Sequence, residues 1–442
     1  MKETLYHVTL LSNFARGFDK YARVFSKSGI PESTFPDRFF LLRRDELGIG
    51  VDKASALLNR LAIEGDRLIA LETDEETESL KPNAANGRGR FVSRNRISLK
   101  GVYEVKSNNQ SATDLKVMGV EDAMAASLRL LKPKLMNYSD IVPRAVSFLP
   151  VALACQASCP FCFSKASVSS DQVAAEPNVE RAQRWVNLAK ARGAERAVIT
   201  GGGEPTLLEH SKLLELITII SYAFKKVVLI TNGHRLANVG ELVTGLKSLS
   251  DAGLSVLALS RHHYDPSQNQ RIMGLDTKTD KLIEAWRNQR ELWPRLQVRL
   301  VCVLQNSGVD DRANLENYVS WAAGLGVEEI CFKELYVSTS AESVYHERGA
   351  NEWSRAHQIP LSLVTDFCEE AGFSVEHRLP WGAPIYHGRW QGKAMRIAAY
   401  TEPSLFWERT RGIARSWNVM ADGTCLASLE DRASVINLEG VG

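Results

Sequence analysis

Between residues 146 and 337 the chain alternates short apolar runs with stretches whose apolar residues recur at helical spacing. The apolar runs are 146–153, 197–200, 227–231, 256–260, 298–304 and 329–337, and the helical stretches between them are 179–192, 213–224, 236–250, 281–291 and 313–324. The runs are short, apolar and β-branched, which is how strands buried on both faces read. A helix between consecutive strands returns the chain to the same edge, so the strands are parallel. The expected fold class is α/β: six βα units, as an open doubly wound sheet or, the reading adopted, a partial (β/α)6 barrel. In either form the ligand site lies at the carboxyl ends of the strands, so the residues just after each run should carry the chemistry.

The flanks read differently. Residues 51–61 place apolar positions at helical spacing ahead of a Gly65-Asp66 stop, and residues 90–105 alternate as a ribbon does. Helices followed by a two-stranded ribbon outline a winged helix, so residues 1–110 are expected to form a helical, winged-helix-like recognition domain. A polar stretch at 106–111 and a helical one around 121–131 make 111–145 a linker and helix. The barrel core is then 146–340, and 341–442 is a C-terminal extension ending in a hairpin that turns at Asp422-Gly423.

Composition changes this picture little. With 54 Lys and Arg against 52 Asp and Glu in 442 residues, the net charge of +2 selects neither nucleic acid nor an acidic partner. The ribbon is a local exception: Arg88, Arg90, Arg94, Arg96, Lys100 and Lys106 face a lone Glu104. That stripe suits an acidic peptide or nucleic acid, although Asp74, Glu75, Glu76 and Glu78 lie close enough in sequence to neutralise it. No apolar run approaches the roughly 20 residues of a membrane span. Met1-Lys2-Glu3-Thr4 opens no secretory signal, so a cytoplasmic protein with reduced thiols is expected.

Three of the seven cysteines fall within eight positions, Cys155, Cys159 and Cys162, directly after the first strand. Spacings of three and two residues wrap a loop around one cubane and present three thiolates to three irons. No fourth cysteine follows for well over a hundred residues. One iron is then left open for an exogenous ligand, as in an open catalytic zinc site. Zinc itself would need a nearby histidine, and none is close in sequence.

Cys155-x3-Cys159-x2-Cys162, with Phe161 before the last cysteine, resembles the signature of the radical S-adenosylmethionine (SAM) superfamily. The resemblance implies a [4Fe–4S] cluster whose open iron chelates the amino and carboxylate groups of SAM. It implies reductive cleavage to methionine and a 5′-deoxyadenosyl radical that takes a hydrogen atom from a substrate. It also implies an electron donor such as flavodoxin or ferredoxin, and places Phe161 near the adenine.

Later strand ends extend the resemblance over about 145–340. Gly202-Gly203-Glu204 after the second strand resembles the family motif that holds the methionine ammonium; the glycines permit close backbone approach and the carboxylate can accept from an ammonium. Thr231-Asn232-Gly233 ends the third strand, as in similar members. Ser260 and Arg261 end the fourth, at the family position for ribose and carboxylate contacts, and His262 and His263 beside them read as substrate contacts or surface residues rather than metal ligands. Asn306 follows the fifth, near the adenine by resemblance, and Lys333-Glu334 follow the sixth as an internal ion pair or a substrate clamp.

The resemblance is to the branch with molybdenum-cofactor and peptide-modifying enzymes, some of which bind a precursor peptide through a winged helix. The remaining cysteines, 302, 331, 368 and 425, form no close pair, so an auxiliary cluster is not expected. The substrate is expected to be a peptide or small metabolite. Two alternatives are an RNA-modifying radical SAM enzyme and a non-enzymatic Fe–S sensor with a winged helix.

Overall fold

The computed structural model describes residues 2–11, 14, 24–26, 38–41, 67–76, 81–82, 91–94, 96–98, 101–107, 113–118, 122–123, 126–127, 135–238, 242–338, 343–346 and 348–438. They belong to two compact units, Met1–Lys134 and Leu135–Gly442.

In the first unit Lys2–Leu10, Leu68–Glu76, Gly101–Ser107 and Thr113–Met118 form a four-stranded antiparallel sheet in that order. The chain thus opens on a strand where a helical start was expected. Tyr6 and Val8 pack with Leu68, Ala70, Val105, Tyr103 and Leu115, a period-two pattern that favours an extended chain. Glu104 pairs with Arg67 at 3.4 Å. Thr113–Met118 is a strand within the stretch read as linker, while 122–123 and 126–127, within the expected helix, are helical. The helical reading of 51–61 and the ribbon residues Arg88, Arg90 and Lys100 lie outside the described residues.

The second unit is built on one large sheet. We number its strands β1 (Ala145–Leu149), β2 (Arg196–Ile199), β3 (Val227–Thr231), β4 (Val256–Ser260), β5 (Gln297–Leu304) and β6 (Glu329–Glu334). Next come β7 (Ser374–Arg378), β8 (Pro384–Trp390), β9 (Lys393–Tyr400), β10 (Trp417–Met420), β11 (Cys425–Leu426) and β12 (Val435–Ile436). All six expected strands are present, and β1 to β6 pair in sequence order with parallel register. The C-terminal extension adds a parallel strand at each edge, β9 beside β6 and β10 beside β1. The parallel array therefore has eight strands, in the order β9-β6-β5-β4-β3-β2-β1-β10.

Glu402, two residues past β9, is bonded to Arg415, two residues before β10. Those strands stand at opposite ends of the array, so the sheet curls until its edges meet through side chains. This is a partial barrel.

Alternate strand positions face two different environments. Val146, Phe148, Ile199, Leu229, Leu257, Leu259, Leu300 and Phe332 join the main core with the helices, whereas Arg196, Arg299, Glu329, Lys333 and Tyr400 occupy the opposite register positions. Helix α1 (Val179–Ala191) starts where the Asn178 side chain accepts from Arg181 N–H at 2.8 Å. Its Trp185 is buried against Trp417 and donates to Gly423 O at 3.0 Å, locking the C-terminal hairpin to the barrel. Gly423 has φ +83°, which the Asp422-Gly423 turn requires.

Candidate functional site

The loops at the carboxyl ends of β1 to β5 converge. After β2, Gly203 N–H donates to Val151 O at 2.6 Å and Glu204 N–H to Ala154 O at 2.7 Å. A Cβ on Gly202 (φ +92°) would lie 2.5 Å from Val151 O, and one on Gly203 would collide with Ala154 backbone. Only glycine lets this turn lie against the residues leading to Cys155. Gly202 N–H donates to Ser164 Oγ at 3.2 Å, so the turn is also held by the residues after Cys162. The carbonyl oxygens of Gly202 and Gly203 accept no bond among the described residues.

Glu204 is buried and joins three loops. Its Oε1 accepts from Thr206 N–H (3.0 Å), Thr206 Oγ1 (2.7 Å) and Thr231 Oγ1 (2.5 Å), and its Oε2 accepts from Asn232 N–H at 2.8 Å. Four donors use the roughly four lone-pair positions of a carboxylate, so Glu204 organises the β2 and β3 ends. Asn232 carries the connection onward: its Nδ2 lies 3.3 Å from Gln156 Oε1 and 3.8 Å from Cys155 Sγ. Ala157 N–H also donates to Cys155 Sγ, at 3.4 Å.

Cys155 is exposed, and Cys159 and Cys162 are half-buried, on one loop that turns through Cys162 N–H to Cys159 O. Burial, then the neighbouring Cys162 and Cys155, push the Cys159 thiol up to about 12. Burial, then the Glu204 carboxylate and Cys162, raise Cys155 as well. Three thiolates here need a positive centre. No three His, Cys, Asp or Glu among the described residues surround a single ion. A cubane spreads its thiolates over three irons, so three thiols on one loop fit a cluster.

The remaining expected residues fall in unequal places. Phe161 meets His262 edge-on at 5.1 Å and Trp353 at 5.9 Å. Ser260 is the half-buried last residue of β4. Arg261 faces away, into the core: it donates to His263 O, Thr279 Oγ1, Tyr264 O and Asp280, and lies over Trp321. Four of its five N–H groups are thereby used inside the protein, which leaves little for a cofactor carboxylate. Strand alternation explains it, since Ser260 and His262 share one face and Arg261 takes the other.

His262 is 4% exposed, and its Nδ1 accepts from Val303 N–H at 3.1 Å. Burial and the Arg261 charge lower it to about 3, so the ring is neutral with its proton on Nε2. Asn306 is exposed and donates its backbone N–H to His357 O, whereas Gln305 beside it is buried with no partner for Nε2. Motif reading takes His262 as a substrate contact or surface residue and passes over Gln305 and Trp353. Gln305 directly follows β5, so attention to every strand end would have found it. Lys333 pairs with Glu402 at 2.6 Å.

Residues 149–313 match the radical SAM superfamily model. Those residues are a radical SAM domain. Members of this family use a [4Fe–4S] cluster and SAM. The chain is 30% identical over 126 residues to the GTP 3′,8-cyclase of Aquifex aeolicus (strain VF5), a match covering 28% of this chain and 37% of that protein. It thus spans little more than a third of that curated relative's length. Among solved structures, SAM-bound SuiB of Streptococcus suis is matched at 15% identity and TM-score 0.41, over 70% of this chain and 65% of that one. The radical SAM enzyme HemN of Escherichia coli is matched at 11% identity and TM-score 0.33, over 54% and 55%. No helix among the described residues is long and apolar enough to cross a membrane.

Proposed function

We propose that this protein is a radical SAM enzyme that takes a hydrogen atom from a peptide or small-metabolite substrate. The observation that carries the reading is the Glu204 hub, which ties the glycine turn, the Thr231-Asn232-Gly233 turn and the cysteine loop into one unit. When bound, the cluster supplies one electron to break a C–S bond of the SAM sulfonium. The chain's own residues do the rest. Cys155, Cys159 and Cys162 ligate three irons and leave the fourth for the SAM amino and carboxylate groups. The Gly202 and Gly203 carbonyls receive the ammonium, oriented by Glu204, Thr231 and Asn232. Ser260 and the His262 Nε2–H face the ribose side, and Phe161 packs by the adenine, with Asn306 at the outer rim.

Within this reading the first unit is a recognition domain of the branch that modifies peptides, and the enzyme works in the cytoplasm with flavodoxin or ferredoxin as reductant. The test is anaerobic reconstitution followed by SAM and dithionite, scored by 5′-deoxyadenosine. An intact cluster that forms none would overturn the reading and favour a sensor. Nucleic acid as substrate requires binding that weakens steeply with salt.

A further inference from the structure

A small cavity, partly open to solvent, lies between the carboxyl ends of β6 and β9 and the start of β10. Phe163, one residue past Cys162, forms part of its wall, so the cavity adjoins the cysteine loop. It is lined by Lys333, Glu402, Glu408, Arg415, Asn418 and Glu430, with Tyr336 beside them. Two cations thus face three carboxylates. Both cations are committed, because Lys333 Nζ and Arg415 bind the same carboxylate, that of Glu402. An incoming anion would have to break those pairs.

Acceptors, by contrast, are open. Asn418 is 3% exposed and its amide is oriented by two carbonyls, Nδ2 donating to Ser416 O at 2.9 Å and Leu426 O at 3.3 Å. Its Oδ1 accepts nothing among the described residues. Glu408 is 7% exposed, and one carboxylate oxygen accepts from Arg415 N–H at 2.7 Å. Its other oxygen has no partner among the described residues. Two side chains, each more than nine-tenths buried, therefore bring a spare acceptor to one cavity.

We propose that this cavity receives a primary ammonium group of the substrate, held by Glu408 and Asn418. This rests on the radical SAM reading of the adjoining loop and names the substrate class for it: a lysine-like side chain or a small alkylamine. Burial raises Glu408 to about 8, with Arg415 opposing and Glu430 and Glu402 reinforcing the shift. The empty cavity at pH 7 accordingly holds a mostly neutral acid. An arriving ammonium favours the carboxylate, so binding releases a proton.

The experiment is titration calorimetry on the full chain at pH 7 in two buffers of different ionisation enthalpy. The probes are Nα-acetyl-lysine N-methylamide, butan-1-amine, and Nα-acetyl-norleucine N-methylamide as the uncharged control. The amines should bind at least ~10-fold tighter than the control and release most of a proton, and Glu408→Gln should abolish both effects. A tighter lysine derivative assigns the amine to a peptide, and equal binding assigns it to a small molecule. Equal binding of amine and norleucine probes, or amine binding without proton release in the wild-type protein, overturns the proposal even if Glu408→Gln fails to fold. 5′-Deoxyadenosine formation is scored separately on the same preparation, so a wrong cavity and a wrong enzyme class give different results.

Discussion

Glu329 and Glu204, at opposite ends of the barrel strands, are satisfied in opposite ways. At the amino ends of the strands, Arg299, Glu329 and Arg396 stand side by side in register on β5, β6 and β9. Glu329 pairs with Arg299 at 2.5 Å and with Arg396 at 3.1 Å, and Arg396 continues to Glu376 at 2.7 Å. Each charge there is neutralised by a cross-strand neighbour, a ladder that fixes register. At the carboxyl ends the buried Glu204 has no ion-pair partner among the described residues and is satisfied by hydroxyl and amide donors from separate loops. A ladder stabilises the sheet, whereas a hub positions loops. The amino end should therefore govern folding and the carboxyl end chemistry.

The strongest break of that comparison is at the cysteines. Cys155→Ala, Cys159→Ala or Cys162→Ala should each reduce 5′-deoxyadenosine to background, since a cubane missing a ligand is not held. Melting of the apoprotein should shift by less than ~1 kcal/mol for exposed Cys155, because little packing is lost. A residual rate within tenfold of wild type would dissociate the loop from the chemistry.

Acid should separate the ends by pH window. His262 is depressed to about 3 in the folded protein, so between its unfolded value near 6.5 and 3 the unfolded chain binds the extra proton. Stability is then lost as pH falls through that range, by about 4 kcal/mol at its acid end. Glu329 is held below the usual carboxylate range by its arginines against the effect of burial, so its contribution is present above about 4.5 and lost only at lower pH. His262→Gln keeps an acceptor for Val303 N–H without titrating. Urea unfolding between pH 5 and 6.5 should lose most of its slope in that variant, and an unchanged slope would mean that His262 is protonated in the native state.

The six βα strands were legible because burial on both faces leaves an unbroken apolar run. Lys393–Tyr400 was not, because its sequence carries charged and polar residues that face an ion network; Trp417–Met420 was legible as a strand of the Asp422-Gly423 hairpin, but not as an edge of the parallel sheet. The cysteine, Gly-Gly-Glu and Thr-Asn-Gly segments were legible as motifs, since each needs special residue types at fixed spacing. Their division of labour was not. Glu204 was read as a ligand for an ammonium, yet two of its four hydrogen bonds come from Thr231 and Asn232, 27 and 28 positions away at the end of β3, a separation no local pattern reports. Arg261 was read as a contact for a cofactor carboxylate, but backbone carbonyls, Thr279 and Asp280 take up its donors instead.

Glu204→Gln tests the hub. An amide cannot accept four bonds, and its NH2 would face the donors it replaces. We expect about a hundredfold loss in the rate of SAM cleavage, near 2.7 kcal/mol of transition-state stabilisation. Because Asn232 also approaches Cys155 Sγ, the electron paramagnetic resonance of the reduced cluster should shift with SAM bound. A variant with wild-type spectrum and rate would return Glu204 to a structural role.

The smallest effect is expected at the opposite end and completes the contrast. Glu329→Gln leaves Arg299 and Arg396 facing each other across one strand, with Lys226 also near. Each arginine keeps some solvent, so the loss should be below that of a fully buried pair, about 2 kcal/mol in urea unfolding. The surviving folded fraction should cleave SAM at the wild-type rate, because the ladder touches none of the loops beyond the strand ends. If kcat fell with stability preserved, charge at the amino end would be acting on the site through the barrel interior, and the division between ladder and hub would fail.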